Sequence, residues 1–314
     1  MLIWDNHACM PLRPDDPSFL PQLQRVREAG VNIISLNIGY GPHSVESHFR
    51  MLAQFRNWVE VNSDHYRLGQ SIEDVRSSEQ DGRLTIFFDI EGGGAIDDQI
   101  SLVKLYYDLG VRWMLIAYNK NNLIGGGCYD DDLGLTALGR DVVAEMNRVG
   151  MVVCCSHTGE RSVRDAIDTS ADPVIFSHSN CKAIFDHARN VSDSLIRACA
   201  ARGGVIGING IGPFLGRELA TADMLVRHID HIAQMVGVDH VGLGLDYVFD
   251  QAELEDAFVQ FKDTFPEVPE RLSFVGPEQI GDIKEQLDRR GYNREALTKI
   301  MGGNWLRIAE SVWK

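Results

Sequence analysis

The sequence predicts a (β/α)8 barrel, and three observations carry that reading. Eight short apolar runs rich in β-branched residues are spread along the 314 residues. Amphipathic stretches of helical period separate them. Each apolar run also closes on a polar residue, which on this fold would fall on one shared rim.

The runs are LIWDNH (2–7), VNIISLN (31–37), LTIFFDIE (84–91), WMLIAY (113–118), MVVCCSH (151–157), PVIFSH (173–178), VIGIN (205–209) and HVGLGLD (240–246). Their apolar character is continuous, not alternating, as expected of parallel strands covered on both faces. Helices are predicted for SFLPQLQRVREAG (18–30), QISLVKLYYDLG (99–110) and ALGRDVVAEMNRVG (137–150), each stopped by glycine. An insertion over 43–81 carries two helical patterns after the second strand, and the region from 252 onward reads as mostly helical. An open doubly wound sheet shares this local pattern, but no GxGxxG turn follows the first strand. Residues 1–314 are expected to form one domain, because a single barrel routinely uses this length.

Composition narrows the function classes. Hydrophobic content of 44% and charged content of 24% suit a globular protein, and the net charge of −15 opposes a nucleic-acid surface. No basic segment followed by an apolar core marks a signal peptide, and no run reaches the roughly 20 apolar residues that span a bilayer. The six cysteines (Cys9, Cys128, Cys154, Cys155, Cys181, Cys199) form no CxxC pair, so free thiols and a cytoplasmic location are expected.

The residues closing the runs are His7, Asn37, Glu91, Tyr118, His157, His178, Asn209 and Asp246. Singly, each could be a cap or a turn residue. Together, three histidines, a glutamate and an aspartate at five strand ends form a donor set suited to zinc and similar divalent ions. Cys9 adds a thiol two residues after His7, the spacing that puts two side chains on one face of a strand. The pattern points to a metal-dependent hydrolase.

The segments DNHAC (5–9), DIEGG (89–93), CCSHT (154–158), PVIFSHSN (173–180), ARNVSD (188–193), GLGLD (242–246) and GGNWLRI (302–308) carry a resemblance. In order and content they resemble the renal, or membrane, dipeptidase family, zinc metallopeptidases of the amidohydrolase superfamily. The resemblance implies a TIM-type barrel with two metal ions bridged by a glutamate and a shared water. It implies that Glu91 is the bridge, that His157 and His178 hold one metal, and that His7 and Cys9 stand at the other. Arg189 matches the arginine that holds a substrate carboxylate, and Asp246 the acid–base aspartate. The family's habit of forming dimers makes a homodimer the expected assembly.

Two positions depart from the family pattern. Cys9 replaces an aspartate, so one or two zinc ions are expected, with the second site weakened if the thiol stays neutral. Tyr118 replaces a histidine that binds substrate and stabilises the oxyanion; a phenol can also donate to an oxyanion. A dipeptide-like small molecule is the expected substrate. The alternatives are hydrolysis of a non-peptide amide or lactam, and a catalytically silent relative that binds a metal or small ligand.

Other features are expected to be structural. The aspartates of GGGCYDDD (125–132) read as a solvated loop, although this loop with Asn121 and Asn122 could also line a pocket. His228 and His231 form an HxxH without the HExxH glutamate and are expected at the surface or in packing. Cys154 and Cys155 are expected as core thiols.

Overall fold

The computed structural model describes residues 1–216, 219–267 and 272–314. Among the described residues there are ten strands: β1 (Trp4–Cys9), β2 (Ile33–Tyr40), β3 (Tyr66–Leu68), β4 (Leu84–Glu91), β5 (Val111–Leu115), β6 (Val152–Cys154), β7 (Ile175–Phe176), β8 (Val205–Ile208), β9 (Val241–Leu243) and β10 (Tyr247–Val248). Eight run parallel in the order β1-β2-β4-β5-β6-β7-β8-β9, and Asp5 pairing with Leu243 closes β9 back onto β1. These are the eight strands read from the apolar runs. The two short extra strands extend the sheet: β3 pairs with the start of β4, and β10 with the end of β1.

Alternation along each strand sorts side chains into two layers. Ile34, Ile86 and Phe88 pack outward in the cluster that also takes Val103, Val142, Val163 and Ile229 from the surrounding helices. Ile33, Phe87, Trp113, Val152, Ile175 and Val205 fill the barrel, and the helix Asn304–Val312 plugs its lower end with Trp305, Ile308 and Ala309. Continuing two residues at a time, the inner face of β4 passes from Phe87 to Asp89 to Glu91, and that of β2 from Ile33 to Ser35 to Asn37. Apolar filling thus gives way to polar groups toward the C-terminal rim.

A bulge matters in β1. Asp5 pairs with Ile34 and Ala8 with Leu36, so β1 spends three residues where β2 spends two. The extra residue lets Trp4 pack in the barrel core while His7, three positions on, faces the rim site.

The insertion holds helices Val45–Val61 and Ile72–Ser77, with β3 between them. Ser44 caps the first by accepting from Ser47 N at 3.2 Å, and Ser71 with Asp74 forms a capping box on the second. Helix Ala137–Val149 ends at Gly150, whose φ of 92° is the left-handed stop that glycine permits. Beyond β10 lie helices Gln251–Gln260, Ile280–Arg289, Arg294–Thr298 and Asn304–Val312, as the helical reading of that region expects. Among the described residues no helix is long and apolar enough to cross a membrane.

Candidate active site

Five of the rim residues converge. His157 Nε2 lies 2.9 Å from His178 Nε2, and these two atoms lie 3.3 and 3.1 Å from Glu91 Oε1. His7 Nε2 stands 3.4 Å from the same Glu91 oxygen and 3.3 Å from Asp246 Oδ1. Cys9 Sγ completes the far side, 3.5 Å from His7 Nε2 and 3.4 Å from Asp246 Oδ1. Two sets, His7–Glu91–His178 and His7–Cys9–Asp246, each keep their ligand atoms within 4.8 Å of one another.

The groups behind the histidines orient them. Asp89, fully buried, accepts from His7 Nδ1 at 3.2 Å. His157 Nδ1 faces Asn119 Oδ1 at 2.7 Å, and Asn119 Nδ2 donates to Thr264 O, which sets the amide's direction. His178 Nδ1 lies 2.9 Å from Ser177 Oγ. With the Nδ1–H of His157 and His178 donating backward, their two Nε2 lone pairs point at Glu91 Oε1, and His7 Nε2 faces the same oxygen. Such lone pairs repel at these separations unless a cation sits among them. The N, O and S donor set fits a divalent ion such as zinc.

Burial and charge tune these groups in different directions. Burial holds His157 and His178 well below the ordinary imidazole range, with Arg189 and His7 adding to the effect, so both are neutral. For His7, burial disfavours the charge, but Asp89, Cys9 and Glu91 outweigh it and push the imidazole up. Burial lifts the Glu91 carboxyl to about 8, with His7 opposing and Asp246 adding. The Cys9 thiol is also pushed well up, by burial first and by the negative charge of Asp246, while His7 opposes. Metal uptake at such a cluster releases protons.

Asp246 follows β9 and adopts φ 57°, a left-handed conformation rare for a residue with a side chain. Its Oδ2 accepts from Asn209 Nδ2 at 2.7 Å, and Asn209 Oδ1 in turn accepts from Ile211 N. That leaves Oδ1 facing Cys9 and His7. Gly92, at φ 128°, turns the chain immediately after Glu91. Tyr118 stacks on the His157 ring with centroids 4.2 Å apart. Burial, with the nearby Glu91, pushes its hydroxyl well up, so the phenol keeps its proton and can donate.

Cys9, Glu91, Tyr118, His157 and Asp246 line a cavity of about 330 Å³ at the barrel mouth, with His7 and His178 fully buried behind them. Arg189 is only 5% exposed and lines the same cavity, its Nη1 without a hydrogen-bond partner and its guanidinium 5.3 Å from the Phe214 ring centre. Among the described residues it makes no ion pair within 4 Å, so a buried guanidinium with an unpartnered N–H faces the cavity.

The profile of the membrane dipeptidase family, peptidase family M19, matches residues 23–314. The chain belongs to the membrane dipeptidase family. Among family relatives, dipeptidase tcpJ of Claviceps purpurea is 31% identical over 275 residues, covering 86% of this chain and 60% of the relative. An uncharacterized dipeptidase of Schizosaccharomyces pombe is 36% identical over 231 residues, 72% of this chain and 51% of its own. The chain therefore spans between half and three-fifths of the length of these curated relatives. An amidohydrolase from Pseudomonas aeruginosa superposes with a TM-score of 0.92 at 26% identity, covering 99% of this chain and 96% of that one. A metallo peptidase from Rhodobacter sphaeroides shares the fold, with a TM-score of 0.84 at 20% identity over 100% and 99% of the two chains.

The remaining sequence expectations fare unevenly. In GGGCYDDD two of the three aspartates are staples, while Asp131 is exposed to solvent as expected. Asp132 accepts from the backbone N–H of Gly134, Arg161 and Ser162, and Asp130 pairs with Lys120 at 2.9 Å. Asn121 and Asn122 accept from backbone N–H groups of their own loop, and from that loop Tyr129 reaches the cavity. His228 is buried; its Nδ1 accepts from Cys181 N and its Nε2 donates to Leu215 O. His231 pairs with Asp193 at 2.8 Å, while Cys154 and Cys155 are buried thiols. Sequence reasoning passed over Asp89, which strand alternation could have flagged two residues before Glu91. It had no signal for Asn119, nor for the cavity roof formed by residues between Asp250 and Glu267.

Proposed function

We propose that this chain is a zinc-dependent hydrolase that cleaves the amide bond of dipeptides carrying a free C-terminal carboxylate. The observation that carries the reading is the pairing, in one cavity, of a converging metal-ligand set with the buried Arg189, whose Nη1 has no hydrogen-bond partner among the described residues. Divalent ions, when bound, polarise the scissile carbonyl and acidify the attacking water. Glu91, His157 and His178 would hold one ion, and His7, Cys9 and Glu91 would stand at a second. The second site is the weaker, because a neutral Cys9 thiol brings no negative charge to the cation.

The chain's own groups do the rest. Arg189 offers two parallel N–H donors to the substrate carboxylate and so sets where the amide lies. Asp246 Oδ1 takes a proton from the attacking water and delivers it to the departing amine, steadied through Oδ2 by Asn209. Tyr118 donates its hydroxyl hydrogen to the oxygen on which negative charge develops. The free thiols support a cytoplasmic setting, and homodimerisation is carried over from the family alone.

The test is a panel of dipeptides and their C-terminal amides offered to zinc-loaded protein, with chelated protein alongside. Zinc-dependent cleavage of the free acids, with the amides far poorer, is the expected result. Equal cleavage of both removes Arg189 from its role, and cleavage of neither rejects the reading.

A further inference from the structure

The cavity has two unlike ends. Arg189 and Phe214 mark one. The other lies beyond Cys9 and Asp246, where Cys9 pairs with Val248 and Cys9 O accepts from Phe249 N. Leu12 N donates to Glu253 Oε1 at 2.7 Å and fastens the helix Gln251–Gln260 over this end.

That helix has an unusual surface. None of its residues is fully buried, and its half-covered positions, Glu253, Leu254, Ala257 and Phe258, fall on one stripe at helical spacing. The same four residues line the cavity. The stripe's apolar side chains therefore face the cavity, not a core of the protein. Charge at this end is spent internally: Arg13 reaches Asp250 at 2.5 Å and Glu253 at 2.9 Å. What remains for a ligand is an apolar wall of Leu12, Val248, Leu254 and Ala257, which Phe258, packed on Phe265 beside Tyr118, continues over the middle of the cavity.

A dipeptide held by its carboxylate at Arg189, with its amide over Glu91 and Asp246, has one part left to place. This is the N-terminal, acyl-side residue. We infer that the cavity selects dipeptides whose acyl-side residue carries a large apolar side chain, read by Leu12, Val248, Leu254 and Phe258. The inference rests on the dipeptidase reading and adds the substrate class. Apolar surface that would otherwise stay wet on both partners is covered when such a side chain docks. Discrimination by one apolar pocket is modest, on the order of 10–100-fold for leucine or phenylalanine over glycine.

Two readouts on the zinc-loaded protein test this. One is kcat/KM for Gly-Ala, Ala-Ala, Leu-Ala and Phe-Ala. The other is calorimetric binding of the phosphinate isosteres of the same four dipeptides, which needs no turnover. Both series should rise from glycine to leucine and phenylalanine, and in Leu254→Ala and Phe258→Ala the Leu-to-Gly ratio should fall about tenfold. A flat series, or variants that weaken all four ligands equally, overturns the inference. If no dipeptide is cleaved but the phosphinates bind in the expected order, the selectivity stands and hydrolysis falls. Absent or unordered binding overturns the selectivity whatever the turnover.

Discussion

Replacing Asp89 by asparagine should weaken zinc binding while leaving the fold intact. Asp89 sits fully buried behind His7, accepting from its Nδ1 at 3.2 Å, from Ser35 Oγ at 2.7 Å and from Asn37 Nδ2 at 3.4 Å. An ionised carboxylate only accepts, so it requires the His7 proton on Nδ1 and frees the Nε2 lone pair for the metal. Asparagine has the same shape but adds an N–H that the imidazole can accept at Nδ1. The carboxylate thus no longer fixes the ring's remaining proton at Nδ1 when a metal takes Nε2, the atom 3.4 Å from Glu91 and 3.3 Å from Asp246, and the competing tautomer weakens binding. Partners of this kind are worth roughly 10–100-fold in metal affinity, or about 1.4–2.7 kcal/mol. Competition against a chromophoric chelator measures the affinity, and melting of the metal-free protein checks the fold. A folded Asp89→Asn variant that binds zinc as tightly as wild type refutes the argument.

Other perturbations separate the parts of the site. His178→Ala should lose metal in elemental analysis of the purified protein; undiminished metal would remove His178 from the ligand set. Cys9→Asp should raise second-site zinc affinity, because a carboxylate brings the charge that the neutral thiol withholds; if wild type already binds two equivalents tightly and the variant binds no better, Cys9 is a competent ligand. His228 gives the pH test away from the metal cluster. Burial lowers its imidazole from 6.5 to about 4, so the folded protein keeps it neutral while the unfolded chain protonates it near 6.5. The stability this contributes is complete above pH 6.5 and is lost as pH falls toward 4, by about 3 kcal/mol at most. NMR of the ring should show no titration above pH 5; a midpoint near 6.5 contradicts the burial argument.

The barrel was legible because its strands are covered on both faces. A run such as LTIFFDIE stays apolar on Ile86 and Phe88 toward the helices and on Phe87 toward the barrel interior. The candidate site was legible for a related reason: the inner face turns polar only near the rim, so Glu91, His157, His178 and Asp246 stand out where apolar runs stop. Arg189 lies on no strand, and only the family resemblance singled it out. Two strands escaped notice because three residues in β3 and two in β10 cannot establish a period. Asn119 was invisible because a left-handed loop turn, at φ 61°, aims it at His157, and no spacing encodes that. The roof helix shows its cavity face only once the fold supplies the cavity, since none of its residues belongs to a core.

Turnover of a free-acid dipeptide by zinc-loaded wild type and by Asp246→Asn, measured side by side, tests the central claim most directly. Asparagine preserves the shape of Asp246 and can keep the bond to Asn209, but it cannot carry a proton from water to amine. The account predicts zinc-dependent cleavage by wild type and a fall on the order of 10²–10⁴-fold in the variant, at unchanged metal content. Cleavage by the variant at the wild-type rate, or no cleavage of any dipeptide by the zinc-loaded wild type, would contradict it.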